Sequence, residues 1–291
     1  MDSGERENSR VAGWRRDSAV IGAFPSGDGG YIRGLMSRHL LFLLISGTFA
    51  CVSSAAAAVV NIEGMRKGLE AAPGWSGSLK LDLGGSSGNS EKFNAALGML
   101  AQHRRDGAVN LIAFSYDYGE TAGARNTDKQ TLHLRHTEEW RERLDWEAFG
   151  QWQRNDFTRL TRRLLAGGGL RWDLLEPGRK QSGERFYLGT GLFAETQTFR
   201  SAPGKDTVRA NLYLSAVRPV FAASSLSGSV YFQPSFEDPG DHRAVGSLAF
   251  SVPMREDLAL EISLNCAYDS QPPAGVKRTD IEYRTGIRWS F

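Results

Sequence analysis

The sequence predicts an all-β protein, a transmembrane antiparallel β-barrel of about twelve strands. Three observations carry that prediction. The closing stretch alternates strictly: Ile281, Tyr283, Thr285, Ile287, Trp289 and Phe291 share one face, and Glu282, Arg284, Gly286, Arg288 and Ser290 share the other. A period of two means a strand with one apolar and one polar side. From Trp75 onward, similar alternating segments recur between turn residues, and no amphipathic helix holds its period. An export leader precedes them, with Met36-Ser-Arg-His as a charged start, Leu40 to Ile45 as an apolar core and Ala55 to Ala58 as a small-residue cleavage site.

The chain therefore divides into four parts. Residues 1–35, rich in Gly, Ser and Arg, read as a start codon placed too early, with a genuine extension as the alternative. Residues 36–58 form the signal peptide, too short to span a membrane as a helix. Residues 59–74 form a short periplasmic lead-in, and residues 75–291 form the barrel. Cys51 falls within the leader, so the mature chain keeps Cys266 alone and has no intrachain disulfide to form.

The strands follow in order. The first, 75–84, puts Trp75, Gly77, Leu79, Leu81 and Leu83 on the lipid face. The second, 91–103, does so with Phe93, Leu97 and Met99, and the third, 108–118, with Ile112, Phe114, Tyr116 and Tyr118. Segment 130–141 is the least regular, because Leu132, Leu134 and Trp140 share a face with His136 and Glu138; it reads as a strand whose charged end lies among lipid headgroups. The fifth strand carries Leu144, Trp146, Ala148 and Trp152 outward, and the sixth Leu160, Leu164, Ala166, Leu170 and Trp172. Leu188, Leu192 and Ala194 mark the seventh, Val208, Leu212 and Leu214 the eighth, Val230 and Phe232 the ninth. Leu248, Phe250 and Val252 mark the tenth, and Leu260, Ile262, Leu264, Cys266 and Tyr268 the eleventh, before the closing strand. Turn chemistry separates them at Arg105-Asp-Gly107, Pro203-Gly204, Asp238-Pro-Gly240 and Gln271 to Gly275. The turns after odd strands read as roughly six to ten residues, too short for a folded plug or binding domain. Gly167-Gly-Gly169 inside the sixth strand reads as a bend or bulge.

A formal charge of +2 over 291 residues gives no field that favours nucleic acid. A mean hydropathy of −0.36 excludes a helical membrane protein but not a barrel, half of whose wall faces a polar lumen.

Three segments then carry a resemblance. They are Trp75-Ser-Gly-Ser-Leu79 with Ser87-Gly-Asn89; Tyr231-Phe-Gln-Pro-Ser-Phe236 with Asp241-His-Arg243; and Tyr268-Asp-Ser-Gln-Pro-Pro-Ala-Gly-Val276 leading into the closing strand. Together they resemble the YdiY-like family of salt-induced outer-membrane proteins, over about Trp75 to Phe291. The resemblance implies a barrel in the outer membrane of a Gram-negative cell and a domain of unknown function. It brings no reaction, ligand or catalytic residue. Arg284, Gly286, Trp289 and Phe291 look like the signal by which such barrels reach their assembly machinery.

The polar face carries the candidate chemistry. It assigns to the lumen Lys80, Asp82, Asp145, Glu147, Arg159, Arg163, Arg171, Glu195, Arg209, Glu261, Glu282, Arg284 and Arg288. One reading is a narrow channel for a small solute. The other is a closed lumen in which these charges pair, within a structural or stress-related envelope protein. An alternative from a different class is a rim hydrolase using Asp241 and His242, with Asp269 and Asp280 nearby; against it, adjacent residues in extended backbone point apart. No cofactor or metal site is implied, since His133 and His136 face opposite sides of a strand and no phosphate loop or nucleophile elbow occurs. The expected partners are outer-membrane lipid, the barrel-assembly machinery and, in the channel reading, a small solute, with no nucleic acid, and the expected chain is not an enzyme.

Overall fold

A computed structural model describes residues 73–88, 91–175, 183–200, 202–221 and 223–291. The upstream extension, the signal peptide and the lead-in as far as residue 72 lie outside the described residues.

Twelve antiparallel strands close into one barrel, each paired with its neighbours in sequence and the last with the first. They are β1 (Gly74–Ser86), β2 (Lys92–Arg105), β3 (Ala108–Thr121), β4 (Ala124–Arg141), β5 (Leu144–Asn155), β6 (Leu160–Asp173), β7 (Arg185–Phe199), β8 (Lys205–Pro219), β9 (Ser225–Pro234), β10 (His242–Pro253), β11 (Leu258–Asp269) and β12 (Thr279–Ser290). One turn of 3-10 helix, Asp156–Thr158, joins β5 to β6, and the Asn155 carboxamide oxygen caps it by accepting from the Phe157 and Thr158 amides. The first and last residues of the barrel lie at one end, here the terminal end. The turns after odd-numbered strands lie at the other, the distal end.

The wall is inverted relative to a soluble protein. Leu81, Met99, Ile112, Leu134, Leu164, Leu192, Leu212, Phe232, Ile262 and Ile287 are exposed on the outside. The interior is polar and buried, with Gln102, His133, Arg163, Glu195, Arg209 and Gln233 among its members. Only lipid makes that arrangement favourable, and only closure removes the polar strand edges that lipid cannot solvate.

Several hairpins are tighter than the sequence suggests. Ala122 and Gly123 both take positive φ, 52° and 74°, which gives a two-residue turn whose twist matches the strands. Segment 130–141 lies entirely in β4 and pairs on both sides. Its polar outer residues satisfy one another: His136 bonds Asn110 at 2.8 Å and Glu138 at 3.2 Å, and its ring lies 4.8 Å from that of Trp146.

Two expectations for the sixth strand are corrected. The ladder shifts between Leu160 and Arg162, and this bulge turns Leu160 inward, where it is buried, instead of toward lipid. The Gly167–Gly169 run, by contrast, keeps an unbroken register with Phe193, Leu192 and Gly191. Its glycines serve close approach: a Cβ at Gly167 would run into Phe193, and one at Gly169 into the backbone of Thr190 and Gly191.

Candidate functional site

Alternation along the strands sends the polar residues inward, and they gather into layers. At the distal end the layer centres on Glu195 of β7. Its carboxylate accepts from Arg163 Nε of β6 at 2.6 Å, Arg209 Nε of β8 at 2.7 Å and Arg243 Nη1 of β10 at 2.8 Å. Arg163 and Arg209 are both 0 % exposed. Uncompensated, three guanidinium groups around one carboxylate would be very unfavourable in a dry interior. The excess charge is met by Asp241, which accepts from Arg209 Nη2 at 2.7 Å, and by Asp269, which accepts from Arg243 Nε at 3.1 Å. Gln153 and Gln197 accept further bonds from Arg163 and Arg243. The layer therefore joins β6, β7, β8 and β10 to the β9–β10 turn and the end of β11.

A second layer lies toward the middle. The Tyr213 hydroxyl of β8 reaches past β7 and β6 to the Glu147 carboxylate of β5, 3.0 Å from each oxygen. Arg135 lies 3.5 Å from Glu147, and the Arg171 guanidinium stacks 3.6 Å from the Tyr187 ring centroid. Phe149 and Phe193 fill the space between, with ring centroids 6.3 Å apart. Glycine makes this packing possible, because the Tyr213 ring lies directly on Gly189, where a Cβ would collide with it.

A third layer joins the barrel's first and last strands. Lys80 Nζ lies 2.9 Å from Glu261, and Arg288 Nη1 lies 2.9 Å from the same carboxylate. Arg288 also donates to Ser251 Oγ at 2.9 Å, and Lys80 to Ser263 Oγ at 3.3 Å. Nearer the distal end, Arg284 Nη1 pairs with Asp117 of β3 at 2.7 Å and its other arm with Glu282.

The sequence-assigned lumen residues do not all share one place. Glu147, Arg163, Arg171, Glu195, Arg209, Glu261 and Arg288 are buried, as is Asp82; Lys80, Asp145, Glu282 and Arg284 are partly exposed. Arg159 is corrected: it sits in the β5–β6 turn with φ 59°, exposed, and donates to the Ala274 carbonyl at 2.9 Å. Arg159 ends the 3-10 turn in the left-handed region, ahead of β6, and so lies outside the wall. Arg243 and Asp117 were not in that assignment, although strict alternation with Ala244 and Tyr116 places both inward.

Asp241 and His242 are not brought together. Asp241 is buried against Lys205, at 2.5 Å, and Arg209. Burial alone would raise its carboxyl, but hydrogen bonds from Lys205 and Arg209 outweigh burial and hold it below the usual carboxylate range. His242 packs between the outward rings of Phe232 and Tyr268, at 5.8 and 5.4 Å. Asp269 is committed to Arg243, while Asp280 lies exposed at the start of β12.

The four residues that resemble an assembly signal divide between the two faces. Gly286 is needed inside, where the Asp82 carboxylate occupies the place of a Cβ, and Arg284 pairs inside with Asp117. Trp289 is exposed outside, its indole N–H donating to Asp257 at 3.1 Å. Phe291 extends the closing seam, exchanging backbone bonds with Gly77 at 2.7 and 2.9 Å.

A closed β-barrel, polar and charged within and apolar without, defines the class: this is an outer-membrane β-barrel protein. Residues 81–291 match the family described as "Protein of unknown function, DUF481", and the chain belongs to that family. The YdiY-like resemblance of its sequence falls within it. Among curated proteins no sequence matches. Solved structures with similarity include the translocator domain of the autotransporter NalP from Neisseria meningitidis, at 9% identity and a TM-score of 0.46, covering 90% of this chain and 98% of that one. The NanC porin is similar at 8% identity and a TM-score of 0.46, covering 74% of this chain and 98% of its own. A bacterial polysaccharide outer membrane secretin is similar at 8% identity and a TM-score of 0.43, covering 75% and 98%.

Proposed function

We propose that the protein is a structural, stress-related barrel of the Gram-negative outer membrane whose lumen is closed, and that it is neither a free solute pore nor an enzyme. One observation carries this reading: Glu195 is gripped by Arg163, Arg209 and Arg243, and two of those guanidinium groups are wholly buried. A conducting lumen needs mobile, hydrated charges along its wall. Here the charges around Glu195 are spent on each other, and Tyr213 to Glu147 adds a strut across three strand intervals.

The same network suits an envelope under salt stress, the circumstance that the YdiY-like resemblance implies. Exposed ion pairs weaken as salt rises, whereas buried pairs are screened much less. A barrel braced by buried pairs keeps its shape as external salt changes. In this reading its partners are the surrounding lipid and the assembly machinery, with no nucleic acid and no required solute. The divergence of Asp241 and His242 counts against the hydrolase alternative.

Planar-bilayer recording of the purified barrel tests the proposal. The expected result is stable insertion without steady current at any salt concentration. Reproducible ohmic steps in proportion to salt would overturn the closed-lumen reading and restore the narrow channel.

A further inference from the structure

The closing seam is incomplete. The β1–β12 ladder runs from Ser78 with Ser290 to Asp82 with Gly286 and stops there. Both strands continue: β1 pairs with β2 as far as Ser86, and β12 pairs with β11 from Thr279. Extending the register would match Leu83 with Thr285, Gly84 with Arg284 and Gly85 with Tyr283, and none of these pairs forms. Within the described residues, the distal half of the seam thus leaves two strand edges unpaired with each other, a cleft in the ladder.

The cleft has two unlike sides. Outside it stand Leu83, Phe93, Ile281 and Tyr283, all exposed, with Tyr283 at 85 %. These are lipid-facing positions, so the cleft opens within the apolar wall. Behind it lie charges on the lumen side: Lys80, Lys129 and Arg284 against Asp82, Asp117 and Glu282. The side chains of Lys129 and Glu282 are 34 % and 39 % exposed, unlike the buried arginines around Glu195. Gly84 shares the inward face of Lys80 and Asp82, yet a Cβ there would meet nothing within 4 Å. The inner face is therefore less filled beside Gly84 than around Glu195 across the barrel.

We infer that this seam is a lateral lipid site, which takes one zwitterionic phospholipid from the surrounding bilayer. The headgroup enters between the strand edges, and the acyl chains stay against Leu83, Ile281 and Tyr283. With Glu261 and Arg288, which share Lys80's network, four cations meet four carboxylates, so the lumen side is neutral overall, which matches a zwitterion and disfavours a net anion. Lys129, 4.0 Å from Asp117 and partly exposed, suits the phosphate, and the partly exposed Glu282 suits the ammonium. Headgroup oxygens and ammonium protons also answer the polar strand edges, which hydrocarbon alone leaves unsatisfied. The inference is independent of whether the lumen conducts.

Native mass spectrometry of the full barrel released from micelles tests it, with phosphatidylethanolamine as probe and phosphatidylglycerol as comparator. One phosphatidylethanolamine is expected to be retained per barrel, at least tenfold more tightly than phosphatidylglycerol. Gly84→Phe fills the open space and is expected to lower retention at least tenfold, with unchanged heat-modifiable migration. Lys129→Ala removes the most exposed cation and is expected to act in the same direction, which keeps the test decisive if Gly84→Phe does not fold. Equal retention of both lipids, no retention by the wild type, or a co-purifying peptide strand in the seam would each overturn the inference.

Discussion

Two of the seams where the barrel wall falls short of a full ladder, β8–β9 and β1–β12, are met differently. Between β8 and β9 the register runs only from Leu212 with Phe232 to Pro219 with Ser225. The rest of β8 is covered by the chain that follows β9: Ser235 bridges to Arg209, and the Phe236 amide donates to the Val208 carbonyl at 3.0 Å. The buried Arg209–Asp241 pair then fastens that turn down. Between β1 and β12, no segment among the described residues pairs with the distal edge, and the space beside Gly84 is unfilled. A strand edge in a membrane wall needs a polar partner. The first seam finds it in its own chain, with a buried charge network as the anchor. The second, on the inference above, is met by the headgroup of a bound lipid. A packed charge network and an open mixed-charge cleft thus coexist in one lumen, built from the same residue types.

The sharpest way to break that contrast is Glu195→Ala. It removes the carboxylate shared by three arginines, two of them wholly buried, and removing one partner of a buried pair costs about 3–5 kcal/mol. A large fall in the denaturant midpoint, read by heat-modifiable migration, is expected; an unchanged midpoint would mean the packed side is not what holds the barrel. Next comes a pair of glycine substitutions. Gly189→Ala drives a Cβ into the Tyr213 ring and should cost about 1–3 kcal/mol, as overpacking does. Gly84→Ala, on the open side, should stay within about 0.5 kcal/mol of wild type. Equal effects at the two positions would erase the packed-versus-open distinction.

The sealed seam should also respond to acid. The Asp241 carboxyl lies below its ordinary value in the fold, so its contribution is complete above that ordinary value, about pH 4. It is lost as pH falls through the lower folded value. Limited proteolysis of the 235–241 turn should therefore rise only in strong acid, and Asp241→Asn should abolish that acid step. The smallest effect belongs to Arg159→Ala. An exposed rim arginine with one bond to the Ala274 carbonyl should shift stability by no more than about 0.5 kcal/mol, whereas a true lumen arginine would cost several times more.

Strict alternation made most of the wall legible, because a two-residue period fixes which face each side chain takes once one face is known to meet lipid. Glu195, Arg209 and Glu261 are inward by that rule, and by the same rule Arg243 and Asp117 belong with them. Leu160 broke it, because a single bulged residue reverses parity and leaves no mark on composition, and Arg159 fell outside it, because the 3-10 turn holds it ahead of the strand. Gly167 to Gly169 showed that glycine was needed and not why. A bend and a close approach both call for a missing Cβ, and only the facing Phe193 and Thr190 distinguish them.

The sequence by itself determined an up-and-down barrel with an apolar exterior, a charged interior and a closing strand ending at Phe291, because those properties depend on local period and on solvent preference. Which charges meet was decided only by tertiary structure. Glu195 meets Arg243 and Tyr213 meets Glu147 through curvature and closure, over separations of 48 and 66 residues that no local pattern encodes. The open cleft is likewise a tertiary fact. It depends on how many residues of β1 and β12 come into register when the barrel closes, and that number is set by the whole wall.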